Sequence, residues 1–397
     1  MKRLLVVDED QAAPLYLRGL LADLSAEWEV VGVTTPDAAM AAWEQKPFDL
    51  AVVNSHLSGS GGLGLLAEIK TRFPASIRIA TSDAAHQTLI MRALEVAHQF
   101  LPKPIAAHAL KAALLRTGSL KDQAMTDAIK RVIADLRTLP SLPTLYQELV
   151  ADLQSPSTSV DSAARIIAKD MAMVSKVLQV VNSAYFGLRR TISSPAHAIA
   201  LLGIDTVKSL VLSLQVFSQF QQTTALPVSI DTLWKHGMAT GSTARAIAAQ
   251  EGVGALGLEG AFIAGLVHDL GVLVLGTNFP EHYAGALRLS REKQIPHWEA
   301  ELETFGASHG DIGGYLLGLW GLNDSVVDAV AGHHRPSTKP GSGFSVLAAV
   351  HAANAFDEEA DAALAPADRT KLDLDYLTGC GLADRAAGWR QTCGRAA

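Results

Sequence analysis

Two hydrophobic periodicities divide this chain, and the change between them near residue 106 limits it to an α/β part followed by an all-helical part. Before that point, compact apolar runs at Leu4–Val7, Asp49–Val53, Ile77–Ala80 and Val96–Leu101 alternate with helix-length segments at Ala12–Leu24, Pro36–Gln45 and Gly62–Arg72. Strands that alternate with helices predict a doubly wound parallel sheet covered on both faces. In such folds the site forms at the carboxyl ends of the strands. From there to residue 335 almost every segment is patterned as helix.

Local signals punctuate the helical part. Pro140 and Pro143 flank a helix start, and Thr158 with Asp161 predicts a capping box before Ala163–Ala168. Gly187 closes the segment Met171–Tyr185, Pro195 suits a first helical turn, and Gly203 ends the helix that follows. Asp205 is placed to cap Thr206–Phe220, residues 221–230 form a loop, and a further helix starts near Leu233. Ala261–Leu275 forms one apolar helix, and residues 336–343 are rich in Pro, Gly and Ser. At 397 residues the chain exceeds what one ordinary core can bury. The expected division is 1–119, a linker at 120–128, a helical domain at 129–335 and a helical extension at 336–397.

A net charge of -7 argues against tracking nucleic-acid phosphates, which needs a basic face. Cys380 and Cys393 are the two cysteines, so neither a disulfide framework nor a cysteine metal motif is expected. The first apolar run is short and ends in acids, unlike a signal peptide, and no run is expected to span a bilayer. These readings predict a cytoplasmic protein with no membrane or nucleic-acid partner.

Chemistry-bearing residues fall at the predicted strand ends: Asp8 and Glu9, then Asn54, Thr81, and Lys103 in Leu-Pro-Lys-Pro, with Gly62 eight residues past Asn54. This order resembles the receiver domain of response regulators over residues 1 to about 119, which implies a flavodoxin-like fold. The resemblance assigns the acid pair to Mg²⁺, the Asn54 position to phosphoryl acceptance, Thr81 to sensing and Lys103 to phosphate contact. A carboxylate oxygen can form an acyl phosphate, whereas an amide oxygen cannot. Its loss also weakens a site for a hard cation. The Met-Pro that commonly follows the acceptor is Leu57-Ser58 here. Asp8, Glu9 and Lys103 therefore read either as a structural charge cluster or as a weak Mg²⁺ or anion site. The implied module docks or dimerises without phosphorylation.

The segment from Thr138 to Pro143, then Ile166 to Asp170, Val180 to Gly187, Ile192-Ser193, Ala198-Ile199 and Leu202-Gly203, resembles the HDOD domain, a relative of HD phosphohydrolases, over about residues 129–335. Taken singly, Asn182-Ser183 reads as a satisfier of backbone groups and the Leu-Pro pairs as a helix entry.

Eight of the thirteen histidines lie between 236 and 351. Imidazoles and carboxylates converging from several helices build metal sites in bundles. By resemblance to the HD and HD-GYP pattern, His236, His268, Asp269, His309, His333 and His334 are candidate ligands of a divalent metal. Two departures stand out: Asn354 where the pattern has an Asp on a later helix, and Val272 where HD-GYP proteins carry a Lys. Three readings follow: a satisfied core network without metal, a metal site without turnover, or an active phosphohydrolase.

The functional expectation is a two-component-type signalling regulator without enzymatic turnover. It would act by contact with other signalling proteins, such as two-component proteins or enzymes of cyclic di-GMP metabolism, with homodimerisation through the receiver-like half. The alternatives are a metal-dependent phosphohydrolase acting on a cyclic dinucleotide or other phosphodiester, and a small-ligand sensor using the helical cleft.

Overall fold

The computed structural model describes residues 2–21, 28–57, 61–73, 76–83, 96–97, 99–105, 110, 128–129, 132–133, 143–153, 158–182, 192–220, 228–320, 322–339, 341–361 and 368–393. The chain forms two compact units, Met1–Leu142 with Leu319–Gly321, and Pro143–Gly318 with Leu322–Ala397. Residues 120–127 of the linker expected at 120–128, Ser183–Gly187 and residues 221–227 of the loop expected at 221–230 lie outside the described residues, as do Thr138 to Leu142.

Unit 1 is built from β1 (Lys2–Val7), α1 (Ala12–Leu20), β2 (Trp28–Val33), α2 (Pro36–Gln45), β3 (Leu50–Asn54), α3 (Gly61–Arg72), β4 (Ile77–Asp83) and β5 (Gln99–Lys103). The sheet runs β2-β1-β3-β4-β5 with every pairing parallel, the doubly wound order expected of a flavodoxin-like fold. β2 escaped the sequence reading because it lies at the edge and buries alternate residues, so its apolar run is broken by Glu29 and Gly32. Leu5, Val7, Val53 and Ala80 are fully buried in the core with Trp43, whose ring stacks on Phe73. Each such burial stabilises by about 1.5–3 kcal/mol for a large side chain. The Asn54↔Thr81 register sets two expected site residues side by side at the strand ends. Gly62 is required there, because a Cβ would lie 1.9 Å from the Asn54 carbonyl oxygen.

Unit 2 is helical. It contains α4 (Thr144–Leu153), α5 (Val160–Ile167), α6 (Met171–Val181), α7 (Pro195–Leu202), α8 (Ile204–Ser218), α9 (Ile230–Gln250), α10 (Ala255–Val267) and α11 (Leu270–Asn278). These are followed by α12 (Pro280–Lys293), α13 (His297–Phe305), α14 (His309–Leu319), α15 (Asp324–Gly332), α16 (Val346–Ala360), α17 (Leu374–Gly379) and α18 (Ala386–Cys393). Side-chain caps at Asp170, Ser194, Ser229, Ser345 and Asp373 start five of them, each contributing about 1 kcal/mol. Asn182 bridges the end of α6 to Ile192, donating to the Leu178 and Ile192 carbonyls and accepting from the Ile192 amide, which is the structural role that its sequence position suggested.

Several local expectations are corrected. The capping box is Ser159 with Ser162, so α5 begins at Val160, while Thr158 donates to Asp152. Asp205 does not cap α8: Gly203 occupies the cap position, and Asp205 pairs with Lys208 at 3.0 Å. The apolar helix expected over Ala261–Leu275 is two helices, α10 and α11, divided at His268-Asp269. His268 Nδ1 donates to the Gly265 carbonyl at 2.7 Å, competing for the acceptor that the fourth amide along a continuous helix would use. The stretch Ala255–Asn278 is, contrary to expectation, long and apolar enough to cross a membrane by length and composition. Its most apolar window is 83% buried inside the fold, as in a core helix.

Glycines permit the contacts that assemble the site. A Cβ on Gly237 would meet the Leu266 carbonyl oxygen at 2.6 Å, and one on Gly265 would meet Gly241 Cα at 2.6 Å, so α9 and α10 touch backbone to backbone. A Cβ on Gly271 would lie 2.0 Å from the His309 carbonyl oxygen, which draws α11 onto the start of α14. Helix α16, within the segment read as an extension, is buried almost all round, with Ala348, Ala349, Val350, Ala352 and Ala353 fully enclosed.

Candidate metal centre

The carboxylate at the α10–α11 break, Asp269, is the hub of the histidine cluster in unit 2. Its Oδ1 lies 3.3 Å from the Nε2 atoms of His268 and His309 and 3.8 Å from that of His333, and its Oδ2 lies 3.8 Å from His236 Nε2. All six sequence candidates meet here in two overlapping groups, Asp269 with His309, His333 and His334, and Asp269 with His236 and His268. They arrive from α9, the α10–α11 break, the start of α14 and the end of α15. Sequence spacing could not have joined them; the glycine contacts do.

What the imidazoles do with their second nitrogen identifies the chemistry. His268 Nδ1 donates to the Gly265 carbonyl and His333 Nδ1 to the Val330 carbonyl, each at 2.7 Å. His309 Nδ1 lies 2.7 Å from Glu301 Oε2, and His236 Nδ1 lies 2.7 Å from Asp357 Oδ2. Each Nδ1 is thus committed as a donor to a pure acceptor, which turns Nε2 inward. The inward nitrogens crowd one another: His236 and His268 at 3.1 Å, His309 and His333 at 3.3 Å, His309 and His334 at 3.1 Å. Outer-shell carboxylates and carbonyls on the far ring nitrogen are how metal-binding histidines are oriented.

The electrostatics agree. Burial holds His333 and His334 well below the usual histidine range and lowers His268 to about 4, with neighbouring histidines adding to the effect for all three. Burial also opposes charge on His236, but Asp357 and Asp269 raise it to about 9. His309 is likewise raised well above its usual value, against burial, by Glu301 and Asp269. Burial would push the Asp269 carboxyl up, yet the surrounding histidines hold it well below the normal range. Asp357, Glu301 and Asp269 thus favour positive charge at His236 and His309, the place that a divalent ion would occupy. Imidazole and carboxylate donors suit zinc, iron, nickel or manganese, and the residues present fit such an ion.

Several contributors were not singled out in the sequence. Glu301, buried on α13, accepts from both the His309 amide and ring and from Tyr283 Oη. Asp357 and Glu358 on α16 reach the His236 side. The spacing of Asn354 and Glu358, one helical turn apart, was a legible clue. Thr370 was not legible: its Oγ1 lies 2.8 Å from His334 Nδ1 and accepts from Asn354 Nδ2 at 3.1 Å, contacts between residues far apart in the sequence. Asn354 thus stands behind His334, with its Oδ1 buried and unpartnered among the described residues. A cavity of about 570 Å³ opens onto the cluster, walled by Trp298, Tyr283, Leu233, Lys235 and His297. Trp298 lies nearly parallel to the His334 ring and beneath the Arg335 guanidinium, which Asp311 holds.

In unit 1, Asp8 Oδ2 lies 2.5 Å from Lys103 Nζ, and Asp8 Oδ1 accepts from Asn54 Nδ2 at 3.3 Å and from the Asp10 amide at 3.1 Å. Asn54 Oδ1 accepts from the His56 amide, and Thr81 is buried with its carbonyl taking Ser55. The expected residues Asp8, Asn54, Thr81 and Lys103 therefore meet at the strand ends. Glu9 is exposed, and it is Asp10, not singled out in the sequence, that lines a cavity of about 480 Å³ with Asp8, Thr81 and Lys103. Asp8 is thus ion-paired with Lys103 and accepts from the Asn54 amide, where a phosphoacceptor pocket would present a free carboxylate at the Asn54 position.

Known families match both units. The model of the response regulator receiver domain matches residues 4–115, and that of the HDOD domain residues 139–336. A Treponema pallidum (strain Nichols) protein described as uncharacterized is 26% identical over 237 residues, 59% of this chain and 45% of its own length, so the chain spans about half of that relative. A Geobacter sulfurreducens HDOD domain protein with unknown function superposes with a TM-score of 0.56 at 23% identity, covering 68% of this chain and 92% of its own. A Shewanella amazonensis SB2B protein named "Putative phosphohydrolase" gives 0.51 at 19% identity, covering 70% of this chain and 98% of its own. At these identities the likeness to solved structures is one of fold.

Proposed function

This chain carries a response regulator receiver domain followed by an HDOD domain and is a signalling protein of that architecture, and from that premise we propose that its helical half is a divalent-metal phosphohydrolase centre while its receiver half signals without accepting a phosphoryl group. The observation that carries the metal reading is the commitment of four Nδ1 atoms, on His236, His268, His309 and His333, to fixed acceptors around Asp269. His236, His268, Asp269, His309, His333 and His334 would hold the metal. When bound, the ion supplies Lewis acidity toward a phosphoryl oxygen and lowers the pKa of a water.

The chain's own groups shape what can enter. The cavity wall carries Asp357, Glu358, Asp361 and Asp368 beside Asp269 and Glu301, which repel a phosphate anion until cations offset them. Lys235 and His297 lie at the same wall, and Trp298 and Tyr283 offer aromatic surface, suited to a flat organic substituent on the phosphoester. Substrate access is therefore conditional on metal loading. The test is hydrolysis of cyclic di-GMP and of simple phosphodiesters by protein purified without a histidine tag. Mn²⁺-dependent turnover that EDTA abolishes supports the reading; no turnover by a Mn²⁺-loaded protein overturns the hydrolase part of it.

A second reading, favoured by Asn54 in the receiver pocket, is a contact-only regulator that binds another signalling protein in the cytoplasm, with the metal as a structural element. Native-host capture of a two-component or cyclic di-GMP enzyme, together with a metal-loaded but inert centre, would support it.

A further inference from the structure

We propose that Glu358 is a metal ligand of the His236 side of the centre, standing in, one helical turn later, for the carboxylate that Asn354 lacks. The inference rests on the metal reading above. Asn354 is fully buried in α16 and its amide is turned to Thr370, so it supports His334 from behind and presents no anionic oxygen. Glu358 lies four residues along the same helix and hence on the same face.

Its carboxylate is already divided in function. Oε2 accepts the backbone N–H of Thr370, which fixes the group. Oε1 lies 4.0 Å from His236 Nε2, on the side of the ring that faces His268 Nε2 and Asp269 Oδ2. The adjacent Asp357 takes the opposite nitrogen of the same ring at 2.7 Å. Two consecutive acids thus bracket His236, one orienting the ring from behind and one meeting the space in front. That space is bounded by His236 Nε2, His268 Nε2 and Asp269, and Glu358 stands at its edge, 4.0 Å from His236 Nε2, as a second carboxylate whose charge, with that of Asp269, balances a divalent cation. Without it, one shared carboxylate would serve both halves of the cluster.

The test is Mn²⁺ titration of the full chain, stripped with chelator and followed by loss of the free-ion electron paramagnetic resonance signal. Glu358→Gln keeps an oxygen to accept from the Thr370 amide and removes the charge, so circular dichroism of the metal-free variant should match wild type. At least one bound ion should lose about tenfold or more in affinity, the scale seen when groups supporting a metal site are removed. Glu358→Asp, which keeps the charge but withdraws it by one methylene, should weaken binding in the same direction and serves if Glu358→Gln does not fold. Titration of the variants indistinguishable from wild type, with wild type binding Mn²⁺, would overturn the Glu358 assignment alone. A wild type that binds no Mn²⁺ would overturn the metal reading itself.

Discussion

His236 and His268 face each other with their Nε2 atoms 3.1 Å apart, while their Nδ1 atoms are held by Asp357 and the Gly265 carbonyl. Two inward nitrogens at that separation need a proton or a cation between them. The histidines come from different helices, α9 and the α10–α11 break, and Gly237 and Gly241 let those helices approach closely enough for the pair to form.

Asp269 should decide metal uptake, because both ligand groups share it. Asp269→Asn is expected to lower Mn²⁺ affinity by about a hundredfold or more, beyond the effect of an outer-shell change. Wild type with Mn²⁺ at a hundred times its Kd should gain about 2.7 kcal/mol of stability. Calorimetric melts with Mn²⁺ and with EDTA measure this; an equal metal-induced rise in Tm for the variant would refute the role.

Thr370 lies beyond the residues that the HDOD family model matches, yet it contacts His334, Asn354 and Glu358. Thr370→Val keeps the shape and deletes the hydroxyl, leaving Asn354 Nδ2 and His334 Nδ1 without this partner. The expected cost is about 1–3 kcal/mol in chemical unfolding and about 10- to 100-fold in metal affinity. Loss of stability with unchanged affinity would mean that the hydroxyl serves packing alone.

The receiver pocket should refuse a phosphoryl group. Incubation with acetyl phosphate and Mg²⁺ should leave the intact mass of the wild type unchanged, because Asn54 offers no carboxylate. Asn54→Asp should gain one phosphoryl mass when Asp8 and Asp10 can share Mg²⁺, and should lose stability without Mg²⁺, since a donor to Asp8 becomes a second anion. An adduct on the wild-type receiver half would contradict this.

Alkaline stability should depend on Lys208, whose side chain is 13% exposed and lies 2.6 Å from Glu259 and 3.0 Å from Asp205. Burial alone would lower its pKa, but the two carboxylates raise it above 10.5. A cationic group raised on folding contributes stability that is fully present below the unfolded pKa of 10.5 and is lost as pH climbs through the folded value. Lys208→Met should therefore destabilise by about 1–3 kcal/mol at neutral pH, as the charged hydrogen bonds of a partly buried pair are removed. It should also flatten the alkaline limb of a stability-against-pH curve; an unchanged limb would exclude Lys208 as its source.

Strand and helix periodicity alone determined the α/β-then-helical division, and the resemblance carried by the residues at the strand ends implied that Asn54 replaces an acceptor. The six candidate ligands were legible as residue types in a resembling order. What the linear order could not carry was the support around them. Glu301, Asp357, Glu358 and Thr370 are ordinary polar residues until packing places them behind or beside an imidazole. The break that frees Asp269 was likewise hidden, because His268 takes the Gly265 carbonyl only after the fold turns that ring inward. Periodicity is local and survives in sequence. Commitment of each ring nitrogen depends on which backbone approaches which, and the contacts at Gly237, Gly265 and Gly271 that decide it exist only in the tertiary structure.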